Sequence, residues 1–241
     1  MLGLPEGARA LLFDLDGVLT QTAVVHTAAW KTMFDDFLEA RGEPEFTDDD
    51  YLQYVDGKPR PDGITSFLLS RGIALPVGSP SDPTSADTVT GLGARKNELV
   101  LQIIDRDGVN AYQDAVDYLD AAAETDLKLA VVSSSANAKR VLAAAGIADR
   151  FSLVVDGVVI AREGLRGKPA PDCFLLAASD LGATAAEAVV FEDALSGVQA
   201  GRDGDFGTVV GVNRVDAANG KALKDAGATV VVQSLTDLLE P

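Results

Sequence analysis

The chain has 241 residues, 47% of them hydrophobic, which is enough to bury a large core and excludes a disordered polypeptide. Twenty lysines and arginines stand against 37 aspartates and glutamates, and the resulting net charge of −17 excludes general attraction to nucleic acid or to an anionic membrane surface. A single cysteine, Cys173, excludes an intramolecular disulfide and reads as a buried, inert thiol in a reducing compartment. No run approaches the roughly 18 apolar residues of a membrane span, and the nine residues before the first apolar run are too few for a secretory signal. A soluble cytoplasmic protein is expected.

The apolar run 10–12 leads directly into Phe13-Asp14-Leu15-Asp16-Gly17-Val18-Leu19-Thr20. This places two carboxylates at the end of a predicted buried strand, where an open parallel sheet presents its ligand site. Alternate strand positions point to opposite faces, so a turn through Gly17 is needed before both can serve one pocket. One carboxylate could then attack an electrophile while its neighbour shuttles a proton. Two anions so close repel unless a cation or a shared proton lies between them, so a divalent metal is expected. A calcium loop can also begin Asp-x-Asp-Gly, but it needs further oxygen ligands and a late glutamate, and residues 17–25 contain no carboxylate.

Residues 23–107 break the rhythm of the rest and read as an inserted helical domain, with 1–22 and 108–241 forming the core. Within the insertion, helices are predicted at 28–40, 48–55, 62–70 and 96–105. Trp30, Met33, Phe34, Phe37 and Leu38 recur at spacings of three and four, the stripe of an amphipathic helix that builds the insertion's own core. Residues 75–93, rich in Pro, Ser, Asp and Gly, read as a loop.

Beyond the insertion, apolar runs at 129–134, 188–193, 208–212 and 229–233 read as buried parallel strands. Alanine-rich helical segments at 136–145, 171–181 and 194–200 each stop at a glycine. The alternation predicts an α/β fold, a doubly wound, Rossmann-like parallel-sheet core. Val154 to Val159 reads either as a tight hairpin or as a core strand followed by an irregular loop.

The strand ends collect a set suited to phosphoryl transfer: Asp14 and Asp16, then Ser133 and Ser134, then Lys168 in Gly167-Lys168-Pro169-Ala170-Pro171-Asp172, then Glu192-Asp193. Aspartate can attack phosphorus, serine hydroxyls and backbone N–H groups can hold nonbridging oxygens, lysine can neutralise them, and the late acidic pair can anchor magnesium. Each part alone has an ordinary alternative. Ser133 to Ser135 could cap a helix beginning at Ala136, a role compatible with anion binding; Lys168 could be a solvated loop residue; and Glu192-Asp193 could favour a helix N-terminus. Their ordered conjunction is what points to phosphoryl chemistry.

On these motifs, Asp14-Leu15-Asp16-Gly17-Val18, the Ser133 strand end, Lys168-Pro169 and Glu192-Asp193, the sequence resembles the haloacid dehalogenase superfamily over nearly its whole length. Within it the chain is similar to the β-phosphoglucomutase-like family. That likeness rests on Phe13 to Val18, Thr22, His26 with Ala29-Trp30-Lys31, Gly57 with Arg60, Arg95-Lys96-Asn97, Ser133 with Asn137, Lys168 to Asp172, and Glu192-Asp193.

The resemblance implies that Asp14 is the nucleophile and Asp16 the general acid and base. Magnesium would be bound by the Asp14 carboxylate, the Asp16 backbone carbonyl, Glu192 and Asp193. Ser133, Ser134, Asn137 and Lys168 would hold the transferring phosphoryl group. In the insertion, which would be a mobile cap, Arg60 on the turn from Gly57 would grip a distal phosphate, Lys96 and Trp30 would belong to the substrate set, and His26 would link cap closure to Asp16. The implied activity is interconversion of β-glucose 1-phosphate and glucose 6-phosphate by a monomer, with glucose 1,6-bisphosphate as activating intermediate. The alternative is a sugar-phosphate phosphatase with the same nucleophile; an inactive magnesium-binding module is disfavoured by the four motifs together. Asp16 disfavours the dehalogenase and phosphonatase branches. Gln21 in place of an acidic residue, Asp56 and Pro59 around the arginine motif, and the long 75–93 segment depart from the family pattern.

Overall fold

The computed structural model describes residues 2–239. The chain divides into two compact units, one made of Met1–Gln21 with Val109–Pro241 and the other of Thr22–Gly108.

The first unit is built on six parallel strands in the order β3-β2-β1-β4-β5-β6. They are β1 (Ala10–Phe13), β2 (Lys128–Val132), β3 (Leu153–Val155), β4 (Ala188–Glu192), β5 (Thr208–Val212) and β6 (Val230–Val232). Side chains alternate across β1. Ala10 and Leu12 join Ala130, Val132, Ala188 and Val190 in a core closed by Cys173, Phe174, Ala177 and Ala178 of α8 (Asp172–Asp180) and by Val198 of α9 (Leu195–Asp203). Phe13, on the other parity, stacks on Phe191 at 4.4 Å and meets Tyr118 of α5 (Gln113–Ala123) edge-on at 6.4 Å. Both faces of the sheet are therefore covered, which is why its strands read as continuous apolar runs.

The strand order reverses between β1 and β4. Registers Phe13↔Val131 and Phe13↔Phe191 bring the ends of β2, β1 and β4 side by side. A crevice at such a reversal is where open α/β sheets bind ligands.

The second unit packs α1 (Ala23–Glu39), a short helix α2 (Asp48–Asp50) continued by a π-turn at Tyr51–Val55, α3 (Arg60–Ser70) and α4 (Val89–Asp107). Its core is the predicted aromatic stripe plus what faces it: Trp30 stacks on Phe34, and Phe34, Phe46 and Phe67 lie 4.4 to 4.9 Å apart by centroid.

Three sequence expectations need correcting. The last helix of the insertion starts at Val89, within the segment read as a loop, because Thr88 caps it through a bond from the Gly91 N–H to its hydroxyl. The glycines that suggested a loop serve packing: a Cβ at Gly91 would sit 2.3 Å from the Ala86 carbonyl oxygen. Val154 to Val159 is neither hairpin nor irregular loop; β3 is parallel to β2 and runs into α7 (Gly157–Glu163), capped by Asp156. Ser133 to Ser135 do not cap a helix at Ala136; α6 covers Ala138–Ala144 with Asn137 before it. Further helices, α5 and α10 (Ala217–Ala226), complete the layers. Among the described residues no helix is long and apolar enough to cross a membrane.

Candidate active site

Asp14 follows β1 directly, and its N–H donates to the Phe191 carbonyl at 2.9 Å, so the nucleophile candidate is held by the sheet's own ladder. Lys168 is the centre of the arrangement. It is 1% exposed, and its ammonium donates to Asp14 Oδ1 and Glu192 Oε1, both at 2.6 Å, and to the Val132 carbonyl at 3.0 Å. The three acceptors come from the ends of β1, β4 and β2, so one lysine ties together the strands at the reversal. The ammonium also lies 4.8 Å from the Phe174 ring centroid, a further favourable contact for a desolvated cation.

Glu192 is fully buried, and its other oxygen accepts the Ala194 N–H at 2.8 Å. Both oxygens are thus engaged within the protein. Each oxygen keeps a second lone pair, so the carboxylate that fixes Lys168 can also serve as a metal ligand. The space for it is made by Gly197, where a Cβ would fall 1.7 Å from Glu192 Oε1.

Asp16 lies on the turn after β1, half-buried, and adds to the negative potential at Asp14. Gly17, at φ +92°, makes the turn that the sequence requires. It also lets Asp193 approach, since a Cβ there would lie 1.8 Å from Asp193 Oδ2. Burial pushes the Asp14 carboxyl up to about 8; Lys168 opposes this, and Glu192 and Asp16 reinforce it. Burial opposes the charge on Lys168, but Asp14 and Glu192 outweigh it and raise the ammonium above its ordinary value, so the lysine stays charged.

Among the described residues no group of three or more His, Cys, Asp and Glu side chains is arranged to hold an ion. Magnesium does not require one, because it keeps several waters and is held by one or two carboxylates plus substrate phosphate oxygens. Asp14, Glu192 and Asp193 are hard oxygen donors at the ends of β1 and β4 and fit that pattern.

Next to Asp14 in the sheet, the Ser133 N–H donates to the Val155 carbonyl at 2.9 Å. The Ser133 hydroxyl accepts the Ser135 N–H, and the Ser135 hydroxyl accepts the Asn137 N–H, at 3.1 and 3.2 Å. This chain of hydroxyl-to-amide turns, rather than a helix cap, shapes the loop carrying Ser134 and Asn137. The loop rests on Gly157, where a Cβ would meet the Ser134 carbonyl oxygen at 2.7 Å and the Ala136 nitrogen at 2.8 Å. Gly157 is in turn set by buried Asp156, whose Oδ1 accepts the N–H groups of Val158 and Val159 at 3.0 and 2.9 Å. Asp156→Ala is expected to cost about 1 kcal/mol, the usual worth of such a cap, measurable as a reduced urea midpoint at unchanged slope.

In the second unit, Lys96 is 3% exposed; its ammonium lies 2.6 Å from His26 Nδ1 and 4.8 Å from the Trp30 ring centroid. His26, Trp30 and Lys96 are therefore one contact group spanning α1 and α4. Arg60 opens α3 after the turn at Gly57, whose φ is +70°. Its guanidinium donates to the Gly93 carbonyl at 3.2 Å and to Asn97 Oδ1 at 2.8 Å, and burial lowers its pKa. Neither acceptor is charged, so the side chain is oriented without being neutralised.

Residues 8–205 match the family of haloacid dehalogenase-like hydrolases. A β-phosphoglucomutase of Mycobacterium bovis is 53% identical over 99% of this chain and 94% of its own length. The chain belongs to the haloacid dehalogenase superfamily and to its β-phosphoglucomutase-like family. A fructose-1-phosphate phosphatase of Escherichia coli is 29% identical over 82% of this chain and 93% of its own. The solved β-phosphoglucomutase of Clostridium difficile shares the fold, with a TM-score of 0.76 at 24% identity over 96% of this chain and 93% of that one.

The sequence reading of this haloacid dehalogenase enzyme missed Gly157 and Gly197. Gly197 lies within α9, where glycine is disfavoured, and that placement signals a close approach; Gly157 opens α7 directly after its cap and carries no such signal. The raised Asp14 carboxyl has a consequence for stability. Between about pH 4 and 8 the folded metal-free protein holds a proton that the unfolded chain has released, so stability falls as pH rises through that window. In EDTA the melting temperature is expected to drop across the window, and magnesium should raise it more near pH 8 than near pH 5. A melting temperature with the same pH dependence in both buffers would contradict this.

Proposed function

We propose that the protein is a magnesium-dependent phosphoryl-transfer enzyme that works through an aspartyl-phosphate at Asp14, and that it is a β-phosphoglucomutase. The observation that carries the chemistry is the buried Lys168 ammonium bound at 2.6 Å to both Asp14 and Glu192 at the strand reversal. The 53% identity to a β-phosphoglucomutase over nearly the whole chain supports the mutase assignment.

In this reading an Asp14 oxygen attacks the phosphorus of a sugar bisphosphate, and the bond from phosphorus to the sugar oxygen breaks. Asp16 delivers the proton to the departing oxygen. In the second half, Asp16 takes the proton from the free 6-hydroxyl of an incoming β-glucose 1-phosphate, which attacks the aspartyl-phosphate, regenerates the bisphosphate and restores Asp14. Lys168 neutralises the nonbridging oxygens, with Ser133, Ser134 and Asn137 supplying hydrogen bonds. Asp14, Glu192, Asp193 and the Asp16 carbonyl would hold magnesium, which neutralises phosphate charge when bound. Arg60 would bind the phosphate that is not being transferred, through a planar fork suited to that anion, and Lys96, with His26 and Trp30, would contact the sugar.

The identity to a fructose-1-phosphate phosphatase favours a second reading, a sugar-phosphate phosphatase with the same nucleophile and water as the second acceptor. Coupled detection of glucose 6-phosphate from β-glucose 1-phosphate, with catalytic glucose 1,6-bisphosphate and magnesium, run beside inorganic phosphate release, separates them. The mutase produces glucose 6-phosphate in excess of phosphate; phosphate release without isomerisation would replace the mutase by the phosphatase.

A further inference from the structure

Arg214 lies in the loop after β5, with its side chain 17% exposed. Its Nε donates to the Gly17 carbonyl at 3.3 Å, Nη2 to the Val18 carbonyl at 3.4 Å, and Nη1 to the Gln233 carbonyl at 3.1 Å. The guanidinium is also paired with both oxygens of Asp114, Nη2 to Oδ1 at 3.1 Å and Nη1 to Oδ2 at 2.9 Å, and its carbon lies 4.0 Å from the Tyr112 ring centroid. Asp114 is anchored independently, accepting the Leu235 N–H at 2.7 Å. From these contacts we infer that Arg214, oriented by Asp114 and Tyr112, is a positioning residue for the turn that carries Asp16. The assignment rests on the phosphoryl-transfer reading above.

The turn needs outside support. Gly17 sits at φ +92°, outside helix and strand, and the loop's internal bonds gather at its two ends: the Gly17 N–H donates to the Thr20 carbonyl, and the Leu19 N–H, Thr20 N–H and Thr20 hydroxyl all donate to the Leu15 carbonyl, leaving the Gly17 and Val18 carbonyls to Arg214. The Gly17 and Val18 carbonyls are the two that immediately follow Asp16, and Arg214 holds both. Gly17 also lies against Asp193 closely enough that a Cβ would overlap its carboxylate. Displacing Gly17 therefore moves the proton-transfer carboxylate before it and disturbs the carboxylate beside it. The geometry demands arginine: a guanidinium can serve separate carbonyls and a bidentate carboxylate at once, and a lysine ammonium cannot. Arg214 reaches no reacting atom; it acts through the turn.

The test uses the full chain with Arg214→Met and, should that variant fold poorly, Arg214→Lys, which keeps the charge but not the fork. Two quantities are read: kcat and KM on β-glucose 1-phosphate and on p-nitrophenyl phosphate, and hydrogen exchange of the Gly17, Leu19 and Thr20 amides against amides of α8. Expected is a fall in kcat of roughly 10- to 100-fold, the penalty of a misplaced group at about 1 Å, with KM changed by less than about threefold. Exchange at the turn should accelerate while α8 stays protected. An unchanged kcat, or a fall in kcat accompanied by equal loss of protection in α8, would overturn the positioning role. If the wild type hydrolyses p-nitrophenyl phosphate but does not isomerise the sugar, the mutase reading fails alone, and the same kcat comparison on that ester still decides Arg214. A wild type inactive on both substrates would remove the phosphoryl-transfer reading and this assignment with it.

Discussion

Asp14→Asn is expected to lower turnover by at least about 10⁴-fold, the scale on which removing a nucleophile acts, and to leave no covalent phosphoprotein on acid quench. The fold should not suffer. Asparagine keeps the shape and the Asp14 N–H bond to Phe191, while Lys168 retains Glu192 and the Val132 carbonyl. It also removes a carboxyl that burial holds well above the ordinary range, so the metal-free variant should melt no lower than the wild type at pH 8. Near-normal turnover in this variant would rule Asp14 out as the attacking group.

Lys168→Met is expected to destabilise the protein by about 3 to 5 kcal/mol, the cost of stripping the partner from a buried charge, as well as to abolish turnover. Glu192 is 0% exposed and would keep only the Ala194 N–H, and Asp14 would lose the one cation that opposes its burial. The cost belongs to the stranded carboxylate, so Lys168→Met combined with Glu192→Gln should recover part of the stability and none of the activity. Urea denaturation of the single and double variants reads this coupling. Additive losses would mean that the two side chains do not depend on each other.

The sheet was legible because its strands are apolar on both faces: 129–134, 188–193 and 208–212 became β2, β4 and β5 almost unchanged. The stripe from Trp30 to Leu38 was legible for the complementary reason, a helical period with one apolar face. What failed were places where glycine and serine serve contacts distant in sequence. Gly91 and Gly93 looked like loop residues, although they let α4 pass the Ala86 carbonyl and the Arg60 side chain. Asp156-Gly157 read as a hairpin turn or as the start of an irregular loop, although the glycine is there for the backbone of residues 134–136. In the site, Asp14, Lys168 and Glu192 could be picked out by type and order, and the structure brings them within hydrogen-bonding distance. The engagement of both Glu192 oxygens inside the protein was not legible, because no pattern encodes which neighbour a carboxylate chooses.

The central place of β1 has a consequence for how the molecule is made. Its partners are residues 128–131 on one side and 188–191 on the other, so the strand leading to Asp14 is synthesised before both of them and its edges stay uncovered until residue 191 has followed. Residues 22–108 have a hydrophobic core of their own and can condense first, while the earlier apolar stretch stays open to misassociation. Delayed burial of its edges is thus a cost of placing Asp14 after a middle strand of a parallel sheet.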